Sequence, residues 1–281
     1  MSIMRKLREY LNRPLSFVMF LLIIISTVIT ALTVVFIIGY IFIKGVPNLS
    51  LDLFSLKYSS SNQSMLPSII NTVYLTALTL LLAVPIGIFS AIYLAEYSRK
   101  NSFFVKIINI ANETLSGIPS IVYGLFGFLA FVISKKWGYS LLAGVITLAI
   151  MVLPLIIRTS QEAMLGVDNT FREASDGLGA GKLRTVFKIV LPSAMPGILS
   201  GIILAIGRIV GETAALIYTA GTVPEAATKL TSSSRTISVH LYCLLNEGLY
   251  TEQAYATAVV LIVFVVIINA LSNALAKKIM K

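Results

Sequence analysis

A basic and an acidic side chain lie inside one of the most apolar stretches of this sequence. Arg208 and Glu212 are the only charged residues of the segment Pro196–Thr219. A lone Arg in the middle of a membrane-spanning helix costs about 2.5–3.5 kcal/mol on insertion scales, so it should face the protein interior or a water-filled path. Residues four apart on a helix are separated by about 40° around its axis. The spacing therefore predicts that Arg208 and Glu212 share one face and can form an ion pair.

The chemistry of this pair suits an anion. The planar guanidinium of Arg matches tetrahedral oxyanions with two parallel hydrogen bonds. Glu212 would limit the net charge, so that an anion could leave, and it could accept a hydrogen bond from the OH of a protonated phosphate. The alternative is a pair that only fastens two helices. Ser120 and Thr213 are weaker pathway candidates, together with Thr114 and Ser116, because hydroxyls in spans commonly bond to the helix backbone.

Composition places these residues in a membrane protein. Of 281 residues, 57% are hydrophobic and 12% are charged, with a mean hydropathy of +0.91, whereas soluble proteins carry about 25% charged residues. The same composition excludes a disordered chain. One cysteine, Cys243, cannot form an intrachain disulfide, and one histidine, His240, cannot supply a metal cage. We therefore expect no metal, no cofactor, and structural roles for both residues.

Six apolar segments predict an all-α integral membrane fold with six spans. The first segment is too long for the apolar part of a signal peptide, so we interpret it as an anchor. Prolines and glycines interrupt several of the others, which packed helices tolerate, and this favours a transport path. The predicted spans are Phe17–Ile43, Pro67–Leu94, Ile118–Ile133 (entered from about Ile107), Tyr139–Ile157, Pro196–Thr219 and Ala256–Ala276.

The positions of Lys and Arg predict the orientation. The two termini, the second-to-third loop and the fourth-to-fifth loop carry fifteen of them, against six on the other side. Cytoplasmic loops are enriched in Lys and Arg, so both termini are predicted to be cytoplasmic. The formal charge of +10 is thereby explained without nucleic acid. Two longer outer segments, Lys44–Leu66 and Gly221–Tyr255, could meet an extracytoplasmic partner or could be solvated connectors.

The loop between the fourth and fifth spans, residues 158–192, is called the coupling loop below. It predicts a helix, a glycine turn and a second helix. Thr170 and Glu173 have the spacing of a capping box at the start of the first helix, and Pro192 is expected to end the second. The run Gly-Leu-Gly-Ala-Gly-Lys is not a phosphate-binding P-loop, because Asp176 and Leu183 occupy the positions of its first glycine and its hydroxyl. We therefore expect any ATP to be hydrolysed by another subunit.

This loop resembles the E-A-A-x3-G-x9-I-x-L-P loop of the membrane subunits of bacterial ATP-binding-cassette importers. Only Ser175 departs from the pattern, where a second alanine is usual. The resemblance implies that this loop docks on the ATPase subunit and transmits its closure to the spans. It also implies the type I importer permease fold. The matching positions are Glu173, Ala174, Ser175, Gly179, Ile189, Leu191 and Pro192.

Nearly the whole chain also resembles the PstA family, the permease subunits of phosphate-specific importers. The resemblance lies in the Gly-Glu-Thr-Ala tract at 211–214, in Gly117–Gly127 and in the region 238–258. It places the family's intramembrane Arg and Glu on Arg208 and Glu212. It further implies three partners: a PstC-like second permease, a PstB-like ATPase dimer and an extracytoplasmic PstS-like phosphate-binding protein.

The resemblance completes the predicted organisation. Residues 1–66 would form a cytoplasmic arm, the first span and an outer connector, residues 67–276 a type 1 permease domain, and residues 277–281 a cytoplasmic tail. The protein would be a multi-pass transport subunit of a bacterial cell membrane, with no enzymatic activity of its own. The alternatives are a permease for molybdate, tungstate or sulfate, an ion-driven secondary transporter, and a signalling or scaffold protein.

Overall fold

The computed structural model describes residues 14–98 and 102–279. Several basic residues used to predict the orientation, Arg5, Lys6, Arg8, Arg13, Arg99, Lys100 and Lys281, lie outside the described residues. The described part is helical, with no strand. Its α-helices are α1 Pro14–Gly45, α2 Leu66–Ile92, α3 Phe103–Gly117, α4 Ser120–Gly127, α5 Leu141–Leu165, α6 Asn169–Gly177, α7 Lys182–Thr185, α8 Leu191–Val210, α9 Ala214–Thr219, α10 Ile237–Glu247 and α11 Thr251–Ile279.

Wider π-type turns extend three of these helices. They are Tyr93–Tyr97 after α2, Phe128–Ser134 after α4 and Val186–Val190 between α7 and α8. Five helical segments are long and apolar enough to cross a membrane, namely Leu15–Asn48, Leu66–Tyr97, Leu141–Leu165, Lys182–Val210 and Thr251–Lys278. A sixth span results if the bent pair formed by α3 and α4 is one span. The predicted all-α fold is confirmed.

The third span is sharply bent. It consists of two arms, Phe103–Gly117 and Ser120–Ser134, that meet at an angle of 100°. Ile118 and Pro119 between them are extended, with ψ of 130° and 141°. The residue before a proline is driven out of the helical region by the proline ring, which explains the break at this point.

The fifth span is also interrupted, but not at Pro192. The expectation that Pro192 ends a helix is wrong, because helix continues from Lys182 to Val210. A proline ring clashes with the carbonyl four residues earlier in a regular α-helix, and here the π-turn Val186–Val190 immediately precedes it and widens the backbone. The span instead breaks at Gly211–Thr213, before α9.

The core lies where α2, α5 and α8 pack together, with Leu75, Leu148 and Ile156 fully buried. Small residues bring α8 close to α5: a Cβ at Gly197 would lie 2.6 Å from Cβ of Ala163, and one at Gly201 would overlap Thr159. The two helices therefore lie in close contact along this side of α8. Gly207 does not pack in this way, because a Cβ at Gly207 would meet open space.

Helix α1 stands apart from this core. Its side chains are mostly exposed within this chain, and its C-terminal end packs on α11. There Gly45 lies against the backbone of Tyr255, and the Tyr40 and Tyr255 rings are 5.9 Å apart, edge to face.

Candidate functional site

An open cavity of about 640 Å³ lies between α5, α8 and α11. Arg208 lines it, together with Leu155, Ser200, Gly207, Asn269 and Asn273. The absence of a side chain at Gly207, one residue before Arg208, leaves room for a small solute. The cavity combines one fixed positive charge with amide and apolar groups, the composition of a polar path through a membrane.

Arg208 and Glu212 do not form the ion pair that the sequence predicted. Glu212 lies beyond the end of α8, and its Oε1 accepts hydrogen bonds from the backbone N–H of Thr213 and Ala215, at 3.2 and 3.1 Å. Its residue is only 8% exposed. Ser238 of α10 fixes the break by donating to the carbonyls of Val210 and Glu212. The prediction that Arg208 and Glu212 share one face is wrong, because a separation of about 40° between residues four apart holds only on a continuous helix.

The carboxylate of Glu212 is therefore a local cap for the start of α9. This also removes the predicted acceptor for the OH of a protonated phosphate, because Glu212 is buried and already bonded. Arg208, in contrast, makes no salt bridge or hydrogen bond within the described residues. Its charge remains available to a solute in the cavity.

Tyr123 ties the two arms of the bent third span together. Its side chain is buried, and its hydroxyl donates to the carbonyl of Leu115 at 2.8 Å. Gly124 then lets α4 approach α9, since a Cβ there would be 2.8 Å from Cα of Ala215.

The hydroxyl candidates differ in their contacts. Thr114 and Ser116 donate to the carbonyls of Ile110 and Asn112 in their own helix, which is the backbone role that the sequence allowed. Thr213 makes a long 3.4 Å contact with the carbonyl of Gly211. Ser120 is half-buried at the first position of α4. The pathway roles of Thr213 and Ser120 stay predictions.

The coupling loop forms the predicted helix, turn and helix, but α5 and the helix through Pro192 extend well into it. The cap of α6 is Asp168 and not Thr170, so the predicted capping box is wrong. The Asp168 carboxylate accepts from the backbone N–H and the hydroxyl of Thr170, at 2.9 and 3.0 Å. These bonds, the backbone one foremost, hold the pKa of Asp168 below its usual value.

The motif positions of this loop divide into two groups. Glu173 and Ala174 are exposed, whereas Ser175 is 3% exposed and its hydroxyl lies 2.8 Å from that of Thr185. The serine that departs from the family pattern thus joins α6 to α7 inside the loop. Gly179 has a φ of +76°, which favours glycine in the turn.

The remaining motif positions anchor the loop to the spans. Ile189 and Leu191 are half-buried, Pro192 is exposed, and Val186 and Val190 between α7 and α8 are fully buried. Apolar side chains project from the loop to solvent, namely Phe171, Leu178 (89% exposed) and Leu183. Exposed apolar side chains around a short helix are typical of a surface that meets another protein.

A partly buried ion pair that the sequence did not predict holds the coupling loop. Arg172 of α6 donates to Glu96, in the π-turn after α2, through Nη2 at 2.6 Å and Nε at 3.1 Å. Arg172 also donates to the carbonyls of Met164 and Val167 at 2.8 Å. Lys182 lies 5.1 Å from the centre of the Tyr97 ring, so two neighbouring residues of the second span contact the loop. The span residues and the loop residues are far apart in the sequence, so no local pattern predicts this contact.

The outer segments are joined to the spans by Asn71. This buried side chain of α2 donates to the carbonyls of Glu225 and Arg235 and accepts from the backbone N–H of Ala227. Arg235 is 4% exposed, and its guanidinium lies 4.8 Å from the centre of the Tyr58 ring. The two outer segments therefore pack against each other around a buried cation.

His240 is fully buried beside this cation. Its ring lies edge-on to Tyr58 with 6.4 Å between centroids, and neither ring nitrogen has a hydrogen-bond partner within the described residues. Burial, followed by the charge of Arg235, lowers the pKa of His240 to about 3, against an opposing contribution from the backbone of Gln63. The structural role expected for His240 agrees with this environment.

This shift predicts a loss of stability in acid. The unfolded chain takes up a proton on His240 below pH 6.5, whereas the folded protein resists protonation down to about pH 3. The free energy of unfolding is therefore unaffected by protonation of His240 well above pH 6.5. It should be lower by about 2 kcal/mol at pH 5. Thermal unfolding of purified protein at pH 7.5 and pH 5 measures the change. His240→Leu should remove that part of the pH dependence, and an equal acid loss in both proteins would contradict the assignment.

These features define a class of protein: a helical membrane permease with a charged cavity between its spans and a helical loop that carries exposed apolar side chains. The chain belongs to the family described as the binding-protein-dependent transport system inner membrane component, which matches residues 83–281. Within that family it is of the PstA type. Members are transport components and not enzymes.

Relatives in several bacteria match most of the chain. It is 35% identical to the phosphate transport system permease protein PstA of Haemophilus influenzae, over 77% of each chain. It is 32% identical to PstA of Yersinia pestis, over 84% of this chain and 81% of that protein. It is also 32% identical to the probable ABC transporter permease protein YqgI of Bacillus subtilis, over 82% of this chain and 84% of that protein.

Solved structures share the fold. A bacterial alginate ABC transporter in complex with a periplasmic protein matches with a TM-score of 0.68 and 17% identity, over 98% of each chain. The MetNI methionine transporter in an inward-facing conformation matches with a TM-score of 0.58 and 17% identity, over 76% of this chain and 94% of that one. The predicted type I importer permease fold is confirmed.

Proposed function

We propose that this chain is the permease subunit of an ATP-driven importer of inorganic phosphate and forms half of its translocation pathway. The observation that carries the proposal is Arg208, which lines a cavity between spans without an ion-pair partner in the described part of the chain. A cation within a membrane span requires compensation, and a tetrahedral oxyanion compensates the guanidinium fork with two charged hydrogen bonds. The names of the PstA relatives support phosphate as that anion.

The proposed partners follow from the same relationship. A PstC-like permease would complete the pathway, a PstB-like ATPase dimer would bind the coupling loop, and a PstS-like binding protein would meet the outer segments. The protein would lie in the cytoplasmic membrane of a bacterium with its termini and coupling loop in the cytoplasm, as the Lys and Arg distribution indicates. Thr213 and Ser120 would contribute to the pathway near Arg208.

Uptake by the assembled complex tests the proposal. Proteoliposomes containing all four proteins should accumulate radiolabelled phosphate only when ATP is supplied on the side of the coupling loop. Unlabelled phosphate should compete, and sulfate, molybdate and tungstate should not. Stronger competition by one of these anions would instead establish the alternative permease, and accumulation without ATP would indicate a secondary transporter.

Docking of the coupling loop gives a second prediction. Glu173→Lys reverses an exposed charge on α6, and Ala174→Trp adds bulk there, so both should reduce co-purification of the ATPase while the chain still inserts normally. These variants test docking more directly than a bulky residue at Gly179, because the positive φ of Gly179 makes any side chain there strained. Glu252→Lys makes the same charge change at an exposed position on the outer side. Undiminished co-purification with Glu173→Lys and Ala174→Trp would refute the docking surface.

A further inference from the structure

Two amide side chains share the cavity with Arg208. Asn269 and Asn273 are one turn apart on α11, and both line the same space. Neither makes a hydrogen bond with any other described residue, and Oδ1 of Asn269 is buried without a partner. Polar groups withdrawn from water are costly unless bonded. The solvation of the Asn269 carbonyl oxygen must therefore come from whatever occupies the cavity, and the exposed Asn273 amide is open to the same occupant.

We propose that Asn269 and Asn273 contact the transported oxyanion and continue its path from Arg208 toward the coupling loop. This inference rests on the proposed function, because it concerns the same anion in the same cavity. It assigns binding roles to two residues that the sequence patterns did not single out.

The chemistry of an amide suits this position. Each Asn offers an NH2 group that donates to phosphate oxygens and a carbonyl that accepts from the OH of a protonated phosphate. An amide carries no charge, so its hold on an anion is weaker than that of a guanidinium. An anion held first by Arg208 could therefore move to the amides and then leave. A second cation at this position would instead hold the anion. The amide carbonyl also supplies the acceptor that Glu212 does not.

The arrangement of the helices gives the path a direction. Ser200 lines the same cavity eight residues before Arg208, about 12 Å along α8 toward the coupling loop. The step from Asn269 to Asn273 leads toward the C-terminal end of α11, where Lys277 and Lys278 follow. Because α11 is the span that follows α8, it crosses the membrane in the opposite direction. Ser200 on α8 and Asn273 on α11 therefore lead to the same side. The two lysines would attract an anion to that end of the path.

Cysteine accessibility tests the contact directly. In a Cys243→Ser background, Asn269→Cys and Asn273→Cys are introduced separately into the complex in proteoliposomes and treated with an anionic thiol reagent. Both cysteines should react, and phosphate should slow both reactions. Leu271→Cys is the matched control, because Leu271 lies between the two on the same helix and is exposed away from the cavity. Its labelling should be insensitive to phosphate.

Uptake provides the second measurement. Asn269→Leu should lower phosphate uptake about tenfold, the effect of losing one hydrogen bond to a charged group at the weak end of the usual range. Asn269→Asp keeps the shape but adds a negative charge that repels the anion, so it should lower uptake further. Asn273 is exposed within this chain, so its variants should fold even if those of Asn269 do not.

The outcomes separate this inference from the proposed function. If the unmodified complex does not accumulate phosphate, the proposed function is wrong. If it does, and Arg208→Gln abolishes uptake while the Leu and Asp variants at both positions transport normally and phosphate protects neither cysteine, the function stands and the amide path is refuted. Phosphate protection at Asn269→Cys and Asn273→Cys, with uptake reduced by the Leu variants, supports it.

Discussion

Arg208→Gln should reduce phosphate uptake about 100-fold while the amount of protein in the membrane stays close to that of the wild type. The guanidinium can give an oxyanion two charged hydrogen bonds, each contributing about 1.5–3 kcal/mol, and every 1.4 kcal/mol is about a tenfold change in binding. Gln retains a donor but no charge. Because Arg208 has no ion-pair partner in the described residues, its loss leaves no internal acid unpaired, and the fold should tolerate the change.

Arg208→Lys should keep part of the activity, because the charge remains while the planar fork is lost. Radiolabelled phosphate uptake, normalised to protein in the membrane, measures both variants. Full uptake by Arg208→Gln would contradict the role of Arg208 in substrate binding.

Glu212 provides the matched control. Glu212→Gln retains the Oε1 that accepts from the N–H groups of Thr213 and Ala215, so its uptake should stay within about twofold of wild type, since the cap is preserved. The double variant Arg208→Gln with Glu212→Gln should be as defective as Arg208→Gln alone. If Arg208 and Glu212 only fastened helices as a pair, the neutral double variant would instead recover uptake.

Breaking the Glu96–Arg172 pair should uncouple ATP hydrolysis from transport. Arg172 also bonds the carbonyls of Met164 and Val167, so it fixes α6 to the ends of both α2 and α5. Removing one partner of this partly buried pair leaves the other charge unpaired, which loosens the attachment of α6. We expect Arg172→Ala and Glu96→Ala to leave α6 poorly positioned, so that closure of the ATPase no longer moves the spans.

The measured quantity is phosphate transported per ATP hydrolysed, which should fall severalfold more than the hydrolysis rate itself. Arg172→Lys keeps the charge and should recover part of the ratio. The exposed pair Arg158–Glu162, at 2.9 Å in the neighbouring helix, is the control, since exposed pairs contribute little. If the phosphate transported per ATP hydrolysed is unchanged in both alanine variants, or if Arg158→Ala lowers it equally, the Glu96–Arg172 pair does not transmit motion to the spans.

Local patterns in the sequence determined the class and much of the fold. Apolar length predicted the spans, and the glycine turn of the coupling loop follows from residues close together in the chain. The bend at Ile118–Pro119 also had a visible cause, since a residue before proline avoids the helical region, although the angle between the arms depends on their packing. Motif spacing predicted the coupling loop, and its docking on an ATPase stays a proposal.

Contacts between distant residues needed the tertiary structure. Glu96 and Arg172 are 76 positions apart, and no periodicity relates the end of one span to a loop two spans later. Helical spacing paired Arg208 with Glu212, but Ser238, 26 residues beyond Glu212, helps hold the break that separates them. Asn269 and Asn273 reach Arg208's cavity only through the rotation and depth at which α11 packs on α8. The sequence by itself determined which segments are helices in a membrane, because apolar length and backbone preference act locally. Only packing decided which polar groups meet, since one helical period is compatible with many rotations of neighbouring helices.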